Sequence, residues 1–224
     1  MKRLSILLLA LATLLALTSL AAADWRPEVR IPFVDAEGLN VDGHLDDDVW
    51  VTASLANAKA VVDLHYSNSR FSIETSVVYL AYDAENLYFG FINYDSSPRQ
   101  LLEADIAMWG STPGMEAGVR VAEGEERRSF QVYPNGLVQL AIGDDASVAP
   151  TEAMTTASSV FDFGWITELV VPFAALELDP PQVGDRWQFN LGGRSDDWKA
   201  WKSTGGSNQN LENAGTLVFG PAFE

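Results

Sequence analysis

Three tryptophans, Trp109, Trp198 and Trp201, and five planar polar residues, Gln131, Asn190, Arg194, Asp196 and Asn208, are the groups in this chain whose types could do chemistry together. A flat ring covers one face of a pyranose, while amides, a guanidinium and a carboxylate pair with hydroxyls that would cost affinity if buried unpaired. That chemistry is recognition of a polyhydroxylated ring, with no bond broken. Trp50, Trp165 and Trp187 sit instead on apolar stripes and are assigned to the core.

Bond-breaking chemistry has weaker support. Glu168 shares a strand face with Ile166 and Val170, where an unpaired charge would be expensive, so an ion pair or hydrogen-bond network with Arg194 is expected. A glycosidase would need a second carboxylate across a cleft, and no spacing fixes one; no catalytic residue is assigned. The chain has no cysteine, which excludes Cys-based zinc, thiol catalysis, a lipid-modified cysteine and C-x-x-C-H haem attachment.

The elements that must position these groups are strands. Trp165 to Val171 is rich in β-branched and aromatic residues and is stopped by Pro172; Phe173 to Leu178 is too short for a free helix and predicts a turn or two. After Pro180-Pro181 and Gly184-Asp185, Trp187, Phe189 and Leu191 alternate with Gln188, Asn190, Gly192 and Arg194, giving one apolar and one polar face. Thr75 to Tyr82 and Leu87 to Tyr94 form a hairpin whose second strand is apolar on both faces, the mark of a central strand covered on both sides. Ser129 to Tyr133 and Leu137 to Ile142 form a second hairpin around Pro134-Asn135-Gly136. Asp105 to Trp109, a stretch around Gly118 to Ala122 and Gly215 to Phe219 are further strands. Residues 24–40 form an extended arm, Asp46 to Asp48 cap a short helical turn delivering Val49 and Trp50 to the core, and Asp144 to Ser159 is a surface loop. The fold class is all-β.

Lys2-Arg3, the apolar run Leu4 to Leu20 and Ala21-Ala22-Ala23 read as a cleaved secretory signal over residues 1–23, leaving one domain over 24–224 that is secreted or periplasmic, with no membrane insertion. That remainder holds 12 basic and 31 acidic residues, a formal charge of −19. Such a field repels phosphate backbones and anionic membranes, so nucleic acid is excluded as a partner and divalent cations are favoured.

Five blocks in order, VDGHLDDDVW, VYLAYDAENLYFGFINYD, FQVYPNG, GWITELVVPFAAL with GDRWQFNLGGR, and WKST…AGTLVFG, cover nearly all of residues 41–220 and make the chain resemble the family 9 carbohydrate-binding modules and the wider group of DOMON-like β-sandwiches. The resemblance implies a two-sheet antiparallel β-sandwich, immunoglobulin- or jelly-roll-like, that binds polysaccharide or oligosaccharide without catalysis, often with structural calcium. The family holds its sugar between two tryptophans; here Leu102 stands about where the first would be, and Ser207 to Leu211 has no aromatic where the second would be. Its carboxylate on the Asp105 strand aligns near Met108, its arginine near Gln131, and Trp201 aligns with a core position. The carbohydrate-binding candidates are therefore Trp109, Gln131, Asn190, Arg194, Trp198 and Trp201.

Two alternatives come with the resemblance. Some DOMON-like domains bind b-type haem through Met and Lys or His; Asp105 to Trp109 looks like their Met-bearing strand, with Met108 as one ligand and Lys199 or Lys202 as the other, while His44 and His65 are read as turn or surface residues. The second is an interaction module that contacts another secreted protein.

Overall fold

In a computed structural model, the described residues are 26–65, 70–95, 113–144, 149–194 and 197–223. The signal segment, Met108, Trp109 and Asp196 lie outside them.

Among the described residues, thirteen strands form one hydrogen-bonded sheet that folds over into two layers, eleven of them along a single path and two branching from it. In chain order they are β1 (Glu28–Phe33), α1 (Asp48–Leu55), β2 (Lys59–His65), β3 (Phe71–Tyr82), β4 (Asn86–Tyr94), β5 (Gly114–Arg120), β6 (Arg128–Val132), β7 (Val138–Ile142), β8 (Ala149–Pro150), β9 (Thr155–Phe161), β10 (Gly164–Pro172), β11 (Arg186–Arg194), β12 (Trp198–Ala200) and β13 (Gly215–Ala222). One layer runs β2-β3-β4-β10-β9; the other runs β8-β7-β6-β5-β11. Phe89 of the first meets Phe130 and Phe189 of the second, with ring centroids 5.3 and 6.4 Å apart. These contacts place the core between the layers, as in a β-sandwich.

The layers are joined along one side because β11 changes partner halfway. Arg186 to Phe189 pair with β13, whereas Gly192 to Arg194 pair with β12, which in turn pairs with β2. β1 closes the same side, lying parallel to β13 and touching β3 through Phe33 and Tyr82. The expected extended arm thus contains a paired strand.

Periodicity located the long strands well. β4 lies between β3 and β10, its Leu87, Phe89 and Phe91 facing the core. Gly90, on its other face, lies under the Trp50 ring, where a Cβ would approach Leu45 and Trp50 to within 2.8–3.0 Å. Trp50, Trp165 and Trp187 are all buried. The second hairpin has its turn at Gly136, with φ +84°. Two readings need correction. The sequence assigned to a surface loop contains β9, an edge strand paired with β10 from Thr155 to Phe161. Its small polar residues hide it, because an edge strand has only one neighbour to pack against. The strand expected near Gly118 to Ala122 runs instead from Gly114 to Arg120.

Glu168 is also placed differently. Its fully buried carboxylate accepts the backbone N–H groups of Asp42 and Gly43, each at 2.7 Å, and the Trp50 indole Nε1–H at 2.8 Å. Its partners are therefore the 42–43 turn and α1, not Arg194. Gly43 has φ +90°, and a Cβ there would come within 2.6 Å of the Ser158 carbonyl carbon, so both its backbone and its packing require glycine. Glu168→Gln puts an N–H donor where three donors converge, and is expected to cost about 2–4 kcal/mol of unfolding free energy in denaturant titration. An unchanged midpoint would show that the knot contributes nothing.

Candidate functional site

The alternation of β5 separates two chemistries. Met115, Ala117 and Val119 enter the core, so Gly114, Glu116, Gly118 and Arg120 face the other side of the sheet. Strand register then aligns a polar row: Gln139 of β7 opposite Gln131 of β6, Gln131 opposite Glu116 of β5, and Glu116 opposite Gly192 of β11. Asn190 lies on the same face two residues along, and Arg194 and Trp198 pair at its end, beside Gly114. Of the six sequence-derived candidates, Gln131, Asn190, Arg194 and Trp198 share this face.

The glycines of the row make room for neighbouring side chains. A Cβ on Gly192 would strike Asn208 Nδ2 at 1.8 Å and meet Glu116 Oε1 at 2.9 Å, so the Asn208 amide lies over Gly192 against the carboxylate. The Gln131 amide nitrogen lies over Gly114 in the same manner, at 3.1 Å, and the Leu211 side chain lies over Gly118 at 3.3 Å. Residues 202–213 thus form a loop laid down on the sheet. Asn190 clamps it: its Oδ1 accepts Lys202 N–H at 3.1 Å, and its Nδ2 donates to the carbonyls of Lys202 and Asn208 at 3.1 and 3.2 Å.

The resulting site is buried, acidic and rich in acceptors. Glu116, Gln131 and Asn208 are 6%, 1% and 5% exposed. Burial raises the Glu116 pKa above the usual carboxylate range, against the opposing pull of the Asn208 amide and the Arg127 charge. Burial, and then the Glu116 charge, raise that of the Tyr133 hydroxyl, which donates to Gln139 Oε1 at 2.7 Å. Gln131 Oε1 and Asn208 Oδ1 are buried with no hydrogen-bond partner. Arg194 places its guanidinium 5.7 Å from the centre of the half-buried Trp198 ring. Trp201 belongs elsewhere, since it packs on Phe189 and over Gly215 in the core. Glu116 escaped the sequence reading because its strand, GMEAGVR, is diluted by glycine.

The interior face carries a second cluster. Lys199 is 1% exposed and pairs across strands with Gly193, over which the Met115 sulfur also lies, 2.5 Å from where a Cβ would be. Burial lowers the Lys199 amine to about 8, opposed by the charges of Glu74 and Asp95. Ser76 bonds Asn93 Oδ1 and contacts the Met115 sulfur at 3.5 Å, and Asn93 Nδ2 is buried without a partner. His44 is exposed, and His65 lies 3.2 Å from Asp197.

Two carboxylates of the acidic turns are used internally. Asp42 accepts from Asn40 Nδ2 and His44 N–H, and Asp47 from Asn40 N–H. Among the described residues, no three His, Asp or Glu side chains are grouped to hold a metal ion. No helix among them is long and apolar enough to cross a membrane.

No protein-family model and no curated protein sequence matches the chain. Solved structures do. A family 9 carbohydrate-binding module from Caldicellulosiruptor kristjanssonii in complex with cellotriose is similar at 15% identity and TM-score 0.64, over 88% of this chain and 96% of that one. The same organism's family 9 module in complex with glucose is similar at 14% identity and TM-score 0.64, over 88% and 98%. With strand order, layer packing and these likenesses in agreement, the chain has the fold of the family 9 carbohydrate-binding modules.

Proposed function

We propose that this chain is a secreted, non-catalytic saccharide-binding module whose ligand lies along the row Gln139, Gln131, Glu116, with Arg194 and Trp198 at its end. The observation that carries this reading is the convergence of planar polar groups and one tryptophan on a single sheet face, with amide oxygens buried and unpartnered. Buried acceptors without donors are costly, and a sugar's hydroxyls supply donors. The charged residue acting on Glu116 is Arg127, a cation; a glycosidase would instead pair it with a second carboxylate. Two similar structures hold glucose and cellotriose, consistent with this ligand class.

In affinity electrophoresis against soluble glucans, xylans and pectins, retardation by at least one polysaccharide is expected. Gln131→Ala and Trp198→Ala should each weaken it by about tenfold or more. No retardation by any member would overturn the proposal.

One observation favours a second reading, a b-type haem site at the interior end. Lys199 and Met115 flank Gly193 on the same face, and both are shielded from water. The donor set fits an iron porphyrin: an amine that loses its proton at about 8 and a soft thioether. Such a group would supply an iron centre that changes oxidation state. Met115 and Lys199 are the residues that would hold it among those described; Met108, the sequence's candidate, lies outside them. Titration with haem should then produce a Soret band that is altered by Met115→Ala and by Lys199→Ala. A protein that stays spectrally silent would exclude this reading.

A further inference from the structure

A ligand on the polar row must first uncover it. Gln139, Gln131 and Glu116 are all buried, and the 202–213 loop meets their sheet through two side chains. Asn208 lies over Gly192; Leu211, 1% exposed, lies over Gly118 with its Cδ2 3.3 Å from where a Cβ would be. In strand register Gly118 stands between Ser129 of β6 and Asn190 of β11, so an apolar side chain fills a place with polar neighbours on both sides. The Ser129 hydroxyl is buried there without a hydrogen-bond partner, as are Arg120 Nε and the amide oxygens of Gln131, Gln188 and Asn208. Donors and acceptors are left over together. A hydroxyl both donates and accepts, so the hydroxyls of a sugar ring match both kinds.

The loop has bonds of its own that do not depend on the sheet. Thr204 Oγ1 donates to the Ser207 carbonyl at 2.6 Å, Asn210 N–H donates to the same carbonyl at 2.9 Å, and Leu211 N–H donates to the Gln209 carbonyl at 3.0 Å. Bonds from the sheet to its far half are longer. Asn190 Nδ2 reaches the Asn208 carbonyl at 3.2 Å, Asn208 Nδ2 reaches the Lys199 carbonyl at 3.3 Å, and Arg127 reaches the Gln209 carbonyl at 3.3 Å. The two ends are fixed, Lys202 by both atoms of the Asn190 amide and Gly215 by the Trp201 ring packed over it. Lifting the middle therefore breaks the long bonds and the Asn208 contact with Glu116, and keeps the short ones.

We propose that the 202–213 loop is a lid, and that Leu211 holds in the unliganded chain the place that a sugar ring takes when the lid lifts. The inference rests on the saccharide reading and adds to it a closed state that competes with the ligand. The tip is unpacked, with nothing within 4 Å of where a Cβ would be on Gly205 or Gly206, so no neighbour blocks the movement there. Apparent affinity is the intrinsic affinity scaled by the open fraction, so holding the loop down weakens binding and loosening it strengthens binding.

The chain has no cysteine, so the pair Gly118→Cys and Leu211→Cys gives a single reversible lock. A Cβ on Gly118 would lie 3.8 Å from Leu211 Cγ, within reach of a disulfide, and closure of the bond is read by mass after alkylation. In affinity electrophoresis against the same glucans, xylans and pectins, the oxidised pair should bind at least about tenfold more weakly than the wild type and recover on reduction with dithiothreitol. Leu211→Ala, which loosens the loop without a crosslink, should strengthen retardation by about threefold or more, and serves if the pair does not fold or close. Undiminished retardation of the oxidised pair, or retardation of Leu211→Ala no stronger than that of the wild type, would overturn the lid and leave the saccharide reading standing. If the wild type, the reduced pair and Leu211→Ala all run unretarded, both readings fall.

Discussion

The buried Glu168 carboxylate is the constraint on which one half of the sandwich depends. The outer face of the β3-β4-β10 layer is apolar around Ile92, Ile166 and Gly90, and would need a cover. The cover comes from the segment containing the 42–43 turn and α1, with Trp50 on Gly90, and Glu168 fixes its position through three hydrogen bonds. Burial pushes the Glu168 pKa up while its three N–H donors pull it down, and the net direction is upward. The carboxylate is thus desolvated to a cost that its partners only partly offset. A buried charge of this kind gives modest net stability, but it specifies one position for the turn, because any other leaves it unpaired.

The opposite layer applies the same logic with different residues. There the cover is the 202–213 loop, and Asn190 is its anchor, bonding backbone groups at two places on the loop. Gly118 and Gly192 allow the loop to lie down close to the sheet. The difference lies in completeness. Among the described residues around Glu168 no buried donor or acceptor is left over, whereas around Glu116 two amide oxygens and the Ser129 hydroxyl have no partner. The satisfied network is an architectural feature, and the unsatisfied one is the network on which the proposed saccharide reading rests.

The fold was legible because its long strands carry strong period-two patterns. The stretches Thr75 to Tyr94 and Trp165 to Arg194 alternate so clearly that they identified the central strands, the core tryptophans and the polar face holding Asn190 and Arg194. Three features were not legible, each for a physical reason. β9 is small and polar because it packs on one side only. Glu116 is flanked by glycines whose purpose is to admit Gln131 and Leu211, and those glycines erase the strand signature. Glu168 finds partners 118 to 126 residues away, so no local pattern could tell them from Arg194. The site was only partly readable for a related reason: residue type indicated Gln131, Arg194 and Trp198, but only strand register puts them in one row with Glu116, and packing keeps Trp201 at the core position that the resemblance gave it.

The two functional readings do not compete for the same space, and β5 shows why. Adjacent residues Met115 and Glu116 point to opposite faces of one strand, the first to the interior end with Lys199, the second to the polar row. The same division recurs on β11, where Gly193 opens the interior face and Gly192 the outer one. Each glycine removes the side chain that would otherwise fill its own cluster. A substitution at Met115 or Lys199 therefore perturbs only the interior, and one at Gln131 or Glu116 only the outer face, so each chemistry can be probed on a sheet whose other face stays intact.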